Sequence, residues 1–310
     1  EVVRLIALTD RARANGLVVT PVTGTELRER EPHITGLAAL HVPSTGITDY
    51  PAVCRALASD ISAAGGVVRT STAVTAIDES ASSVTLTLAG QGGETGWCTA
   101  ESARQVIVCG GLQADRLAAM SGLNSGVDTF QIVPFRGEYY RLPASRNDLI
   151  DALIYPVPDP DLPFLGVHLT RTIDGGITIG PNAVLGFSRE GYRKGSIDLR
   201  DLVTFARFPG MWQVARTHWR TGLVEQRDSW RPSGYLELVR RYCPELRVGD
   251  LLPEPAGIRA QAVLRDGTLV HDFLIRQTGR TVHVCNAPSP AATSAFPIAA
   301  HIVDLATAIT

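Results

Sequence analysis

The feature that most constrains this chain is Gln105-Val-Ile-Val-Cys109, followed by Gly110-Gly111 and then by an apolar pattern at helical spacing from Gln113 to Met120. A continuous apolar run of this length suits a strand covered on both faces, and a glycine pair lets the backbone turn sharply afterwards. Strand, glycine turn and helix in that order predict a buried parallel strand, and so an α/β region. With no Cβ at either glycine a ligand can approach the backbone closely; a plain strand-to-helix turn explains the pair equally well.

The segments before this unit read as helices and short strands. Val3 to Leu17 has helical spacing and stops near Gly16. The charged run Glu26-Leu-Arg-Glu-Arg-Glu-Pro-His33 is read as a solvated helical face rather than a binding patch. A better helix starts at Asp49, carries Pro51 in its first turn and Val53, Leu57 and Ile61 on one side, and ends at Gly65-Gly66. Val67-Val68, Ala73 to Ile77 and Val84, Leu86, Leu88 read as extended, with Gly90 to Gly93 as a turn.

Beyond Phe130 the texture changes. Phe130 to Phe135, Glu138 to Leu142, Leu153 to Val157, Phe164 to Thr170 and Gly176 to Ile179 are short β-rich pieces whose spacing predicts an antiparallel sheet. Asp198 to Leu246 is helical in character, including Met211 to Leu223 and Tyr235 to Tyr242. Gly257 to Val263 and Thr281 to Cys285 read as strands, with Asp266-Gly267 as a hairpin turn, and Pro290 to Ile309 as a closing helix.

Composition narrows the function classes. A formal charge of -2 over 310 residues argues against a nucleic-acid-binding surface, and 45% hydrophobic content against disorder. Cys54, Cys98, Cys109, Cys243 and Cys285 are odd in number and widely spaced with no CxxC pair, so they suggest neither a disulfide framework nor a metal site and fit a reducing cytoplasm. No apolar run reaches the roughly 18 residues of a membrane span.

Four places carry residues suited to chemistry. Arg136, in Pro134-Phe-Arg-Gly-Glu-Tyr-Tyr-Arg141, is a permanent cation in an apolar strand, read either as an anchor for an acidic substrate or as the ion-pair partner of Glu138 or a more distant acid. His168, in Phe164-Leu-Gly-Val-His-Leu-Thr-Arg171, lies opposite the face of Val167 and Leu169; its imidazole suits either a hydroxyl-proton acceptor or a structural role. Arg259, in Ala256-Gly-Ile-Arg-Ala-Gln261, is costly to bury unless a carboxylate meets it, and Gln261 shares its face. Asn286-Ala-Pro-Ser-Pro-Ala-Ala-Thr-Ser294 joins a strand to the last helix with almost no bulk, leaving room for a planar or anionic group against backbone amides, or for a tight helix-packing seam.

These words, together with Leu153-Ile-Tyr-Pro-Val-Pro-Asp-Pro160, Gly180-Pro-Asn-Ala-Val-Leu185 and Arg189-Glu-Gly-Tyr-Arg-Lys194, resemble the L-2-hydroxyglutarate dehydrogenase/oxidase family of the D-amino-acid-oxidase-like (DAO) FAD superfamily, in matching order from about Leu17 onward. The resemblance implies an α/β (α+β) protein: an incomplete Rossmann-like FAD-binding domain with an antiparallel-sheet substrate domain. Residues 1–125 would form part of the first together with part of the substrate domain, 126–255 the substrate-binding sheet with its helices, and 256–310 the return to the FAD domain. It implies oxidation of L-2-hydroxyglutarate to 2-oxoglutarate, with FAD as cofactor, a small dicarboxylate 2-hydroxy acid as substrate, and a quinone or oxygen as electron acceptor. A peripheral membrane contact is compatible with it. Another 2-hydroxy acid, glycerol 3-phosphate or an amino acid as substrate, and a non-catalytic remnant, are the alternatives.

By the same resemblance Arg259 meets the α-carboxylate and His168 is the candidate base. Arg136, Tyr155 and Gln261 belong to the substrate pocket. Val74, Gly110, Gly111, Asn286, Ala287, Pro288, Ser289, Ala291, Ala292 and Thr293 lie against the flavin nucleotide. The family's opening strand, GxGxxG turn and helix have no counterpart, since Gly16, Gly24 and Gly36 do not form that turn. A histidine- and glycine-rich family segment near the flavin is also not found. At least one βαβ unit, on the order of 30 residues, is therefore expected to be missing. Such a chain is expected not to hold FAD tightly or turn over on its own.

Overall fold

The computed structural model describes residues 1–90, 98–158, 166–182, 184–217, 232–288 and 291–309. Helix α1 (Val2–Ala14) leads into a two-stranded antiparallel ribbon of β1 (Thr20–Thr23) and β2 (Ala38–His41), with α2 (Gly24–Arg30) between them. A capping box starts α2: the Thr23 side chain accepts from the Glu26 amide, and the Glu26 carboxylate accepts from the Thr23 amide. Helix α3 (Tyr50–Ala63) is capped by Asp49 and has Pro51 in its first turn. Strands β3 (Thr72–Glu79), β4 (Val84–Gly90) and β5 (Cys98–Ala103) form an antiparallel meander.

The predicted parallel strand is β6 (Val106–Val108), which pairs in parallel with β13 (Thr281–Asn286); β12 (Leu274–Gln277) completes that sheet. A 3₁₀ turn at Gly111–Gln113 then opens α4 (Ala114–Met120). The remaining sheet is antiparallel. It contains β7 (Phe130–Arg141), β8 (His168–Arg171), β9 (Ile177–Gly180), β10 (Val184–Leu185) and β11 (Leu252–Leu264), in the order β10-β7-β9-β8 with β11 on the other edge of β7. Helices α5 (Leu199–Arg207), α6 (209–217) and α7 (Pro232–Arg240) lie between β10 and β11 in sequence, and α8 (Ala295–Ala308) closes the chain.

Long pairing of β7 with β11, from Leu252 opposite Arg141 to Leu264 opposite Phe130, is the spine of the molecule. Its two ends meet different cores. At one end Tyr140, Leu142, Leu169, Ile177 and Ile179 pack on Tyr235, Leu236 and Val239 of α7; at the other Phe130, Ile132 and Ala262 pack on Ala114 and Ala118 of α4 and on Cys285. Burying each large aliphatic side chain there contributes about 1.5–3 kcal/mol.

The structure departs from the sequence reading in five places. The parallel strand predicted to be covered on both faces is not, since Ile107 of β6 is exposed and Val106 half-buried. The pieces 130–135 and 138–142 are one strand, because Gly137 carries the chain past Pro181, whose Cβ lies 2.8 Å from where a Cβ of residue 137 would be. Val67 and Val68 belong to no strand and are exposed, since nothing pairs with them after the Gly65-Gly66 stop. Leu153 to Val157 contributes only an isolated bridge, Ile154 to Leu169. The charged run after Thr23 is not wholly solvated: Glu31 is buried, and its carboxylate accepts from the Asp151 and Ala152 amides at 3.0 and 2.6 Å. Most of the Gly90–Gly93 turn, Phe164, the end of the Met211–Leu223 helix and Ser289 lie outside the described residues. Among the described residues no helix is long and apolar enough to cross a membrane, and no cluster of three metal-ligating side chains occurs.

Candidate functional site

A cleft of about 1870 Å³ opens beside β11, walled by α1, the β1–β2 ribbon, the 151–158 loop, β10 and α6. That exceeds the roughly 300–1,000 Å³ usual for a small-molecule site. Arg259, Gln261 and Tyr155 line it, as do Phe135, Arg171, Asn182 and His271. Period-two alternation sets this outcome: Arg259 stands opposite Phe135 and Gln261 opposite Val133, so both leave β11 on one side, while Ala260 and Ala262 leave on the other. The Gln261 amide nitrogen donates to the carbonyls of Ala262 and Val270 at 3.1 and 2.8 Å, which fixes the side chain in place.

Arg136 does not share this cleft, which corrects its reading as a second substrate anchor. It stands opposite Ile258 and Val184, one residue out of phase with Phe135, so it leaves β7 on the face away from Arg259. There its guanidinium sits 3.3 Å from Glu138, and the Lys194 ammonium approaches the same carboxylate oxygen at 3.7 Å. The ion-pair alternative describes this residue.

His168 lies at the start of β8 with its ring against Tyr155, centroids 4.5 Å apart and planes inclined by 31°. Tyr155 lines the cleft and His168 stands behind it. Burial lowers the imidazole pKa from its usual 6.5, opposed by the hydrogen bond with the Gly166 carbonyl at 3.3 Å. With Nδ1 protonated toward Gly166, Nε2 is the acceptor.

A second, smaller recess of about 210 Å³ lies on the other side of β11, lined by Cys109, Gly111, Ala260, Val284, Cys285, Asn286 and Ala287. Two expected segments, the glycine turn and the start of the 286–293 loop, meet here. The glycines have different work. A Cβ at Gly110 would lie 2.5 Å from Leu117 Cδ1, so this glycine permits helix-to-strand packing. Gly111 adopts φ +49° and faces open space, leaving its backbone accessible.

Asn286 is held as a structural clamp: its amide donates to Val270 and Asp272 at 3.2 and 2.8 Å, and its oxygen accepts from the Ala262 amide at 3.4 Å. Val74 packs with Ile77, Val84, Val108 and Leu117 beside the strand that feeds the turn, and lines neither cavity. Pro288, Ala291, Ala292 and Thr293 line neither, Ala292 and Thr293 being exposed ahead of α8. The two cavities have no lining residue in common, yet Gln261 on one side and Asn286 on the other donate to the same Val270 carbonyl.

Residues 1–305 match the family described as FAD dependent oxidoreductase (DAO). The chain belongs to that family. It is 50% identical over 304 residues to L-2-hydroxyglutarate dehydrogenase of Escherichia coli, covering 98% of this chain and 70% of that protein. It is 37% identical over 319 residues to the mitochondrial L-2-hydroxyglutarate dehydrogenase of Bos taurus, covering 98% and 67%. Its fold resembles that of dithionite-reduced L-alpha-glycerophosphate oxidase from Mycoplasma pneumoniae with FAD bound, at a TM-score of 0.69 and 18% identity, covering 98% of this chain and 69% of that one.

Membership in this family makes the chain an FAD-dependent oxidoreductase with a Rossmann-like fold. The recess fits that cofactor in part: its walls are small residues and open backbone, suited to a flat group, but its volume falls below that of a site for a whole dinucleotide. Sequence reasoning missed Arg171, Asn182 and His271. Of these His271 had a local signal, as it follows the Asp266-Gly267 turn in the short apolar run Leu269-Val-His.

Proposed function

We propose that the large cleft binds L-2-hydroxyglutarate and that the protein oxidises it to 2-oxoglutarate. The observation that carries this reading is the placement of Arg259 on the cleft face of β11, in a chain 50% identical to an L-2-hydroxyglutarate dehydrogenase. The Arg259 guanidinium receives the α-carboxylate, for which its planar fork of donors is suited. His168 does not line the cleft; kept neutral by burial, it would hold the Tyr155 ring that does line it rather than act as the base itself. Tyr155 shields that imidazole from bulk water. A bound FAD would supply the hydride acceptor and the outlet for electrons to a quinone or another acceptor. Gly111, Ala260, Asn286 and Ala287 would lie against a part of it remote from the reacting ring, since their recess is across β11 from the cleft.

The test is anaerobic mixing of the FAD-loaded full-length protein with L-2-hydroxyglutarate, its D enantiomer, or glycerol 3-phosphate, following the oxidised-flavin absorption. Bleaching by the L enantiomer alone is expected; equal bleaching by either of the others overturns the substrate assignment. Calorimetric titration with 2-oxoglutarate tests the cleft independently of the flavin, and no heat of binding there overturns the role of Arg259.

A further inference from the structure

We propose that Arg189, acting with Asp115 and Asp201, is a positioning residue that fastens the Gly111–Gln113 turn to the wall of the large cleft and so sets the spacing between the two cavities. The proposal rests on the reading above of Gly111 as part of the flavin seat.

Arg189 is 1% exposed, yet it carries a full charge. Its Nη1 donates to the Leu112 carbonyl at 2.7 Å, one residue after Gly111, and Nη1 and Nη2 clasp the Asp115 carboxylate at 2.5 and 2.7 Å. Its backbone amide donates to Asp201 at 2.9 Å, and its Nε lies 3.4 Å from the other oxygen of that carboxylate. Asp115 also accepts from the Ile132 amide of β7, and Asp201 from Arg116 at 2.6 Å. Two cations and two anions therefore close a neutral cluster joining α4, β7 and α5. At both ends it touches the candidate sites: Leu112 adjoins Gly111 of the small recess, and Phe187, two residues before Arg189, lines the large cleft.

Stability alone does not call for this arrangement. Well-packed apolar side chains of the same volume commonly hold a core as well as a buried ion pair does. What the charges add is direction, because a guanidinium fork accepts its partners in one geometry. Here that geometry fixes the carbonyl next to Gly111.

Two variants test the link. Arg189→Lys keeps the charge and loses the fork, and Asp201→Asn keeps an acceptor for the Arg189 amide while touching no residue of the turn. Amide hydrogen exchange of the ligand-free chain is measured alongside FAD affinity from flavin fluorescence quenching. Loss of a charge-assisted hydrogen bond corresponds to roughly a ten- to hundredfold change in an equilibrium. Exchange at Gly111–Gln113 should accelerate by about that factor in both variants, and the FAD dissociation constant should rise by a similar one, with β11 amides unchanged. Unchanged exchange at the turn overturns the proposal, as does acceleration spread evenly over the core. Faster exchange at the turn with unaltered FAD affinity overturns its cofactor-facing half. FAD affinity is read on the full-length protein; if that protein too fails to quench FAD, the reading above of Gly111 as part of the flavin seat falls, while the exchange data decide the link to the cleft wall.

Discussion

Arg136 and Arg259 sit on paired strands, one register step apart, and meet opposite fates. Arg136 turns to a buried carboxylate that Lys194 also approaches, and Arg259 turns to a cleft large enough for a ligand. Residue type and flanking apolar residues are alike in the two strands. The parity of the position relative to the sheet decides which cation meets a buried carboxylate and which faces the cleft.

The largest effect that would break this contrast is on stability at Glu138. Glu138→Ala strands the Arg136 guanidinium in a buried site and should cost about 3–5 kcal/mol in urea unfolding. A loss below about 1 kcal/mol would mean that the pair is not what neutralises Arg136. Next in size is Arg259→Met, which should weaken 2-oxoglutarate binding by roughly ten- to hundredfold with little change in the unfolding midpoint. Arg136→Met should do the reverse, leaving affinity alone and lowering stability. Equal losses of affinity in both variants would erase the distinction between the faces.

The two glycines sharpen the same contrast between packing and access. Gly110→Ala forces a Cβ against Leu117 and Ala114 and should cost about 1–3 kcal/mol by thermal or urea unfolding. Gly111→Ala meets open space and carries only the penalty of positive φ, about 1–2 kcal/mol. Its larger effect should be on FAD affinity, because Gly111 lines the recess.

The smallest expected effect is a pH slope. Burial lowers the imidazole pKa of both His168 and His283 below 6.5, so the unfolded chain binds protons more readily than the folded one. Their contribution to stability is complete above about pH 6.5 and is lost as pH falls through the folded values. Unfolding midpoints measured from pH 7.5 to 5 should decline, and the decline should be shallower in His168→Asn.

How far the chain could be read in advance follows from the range of the interactions. The parallel strand, its glycine turn and the helix after it were legible because all three signals lie between Gln105 and Met120. Arg259 was legible because small and apolar neighbours made an isolated charge conspicuous. The face of Arg136 was not, since parity depends on a register fixed by pairing with distant residues, Ile258 and Val184 being its partners. Glu31 looked solvated because the amides it caps belong to Asp151 and Ala152. Arg189 stood out only as part of a resembling word, its partners Leu112 and Asp115 being remote in sequence.

One oxygen, the carbonyl of Val270, limits how the cleft can be re-engineered. Gln261 and Asn286 approach it from different strands, so trimming position 261 to admit a bulkier acid would also slacken the loop that leads to Ala287. Redesign of ligand size is better directed at Tyr155 or Leu269, which line the cavity without sharing that junction.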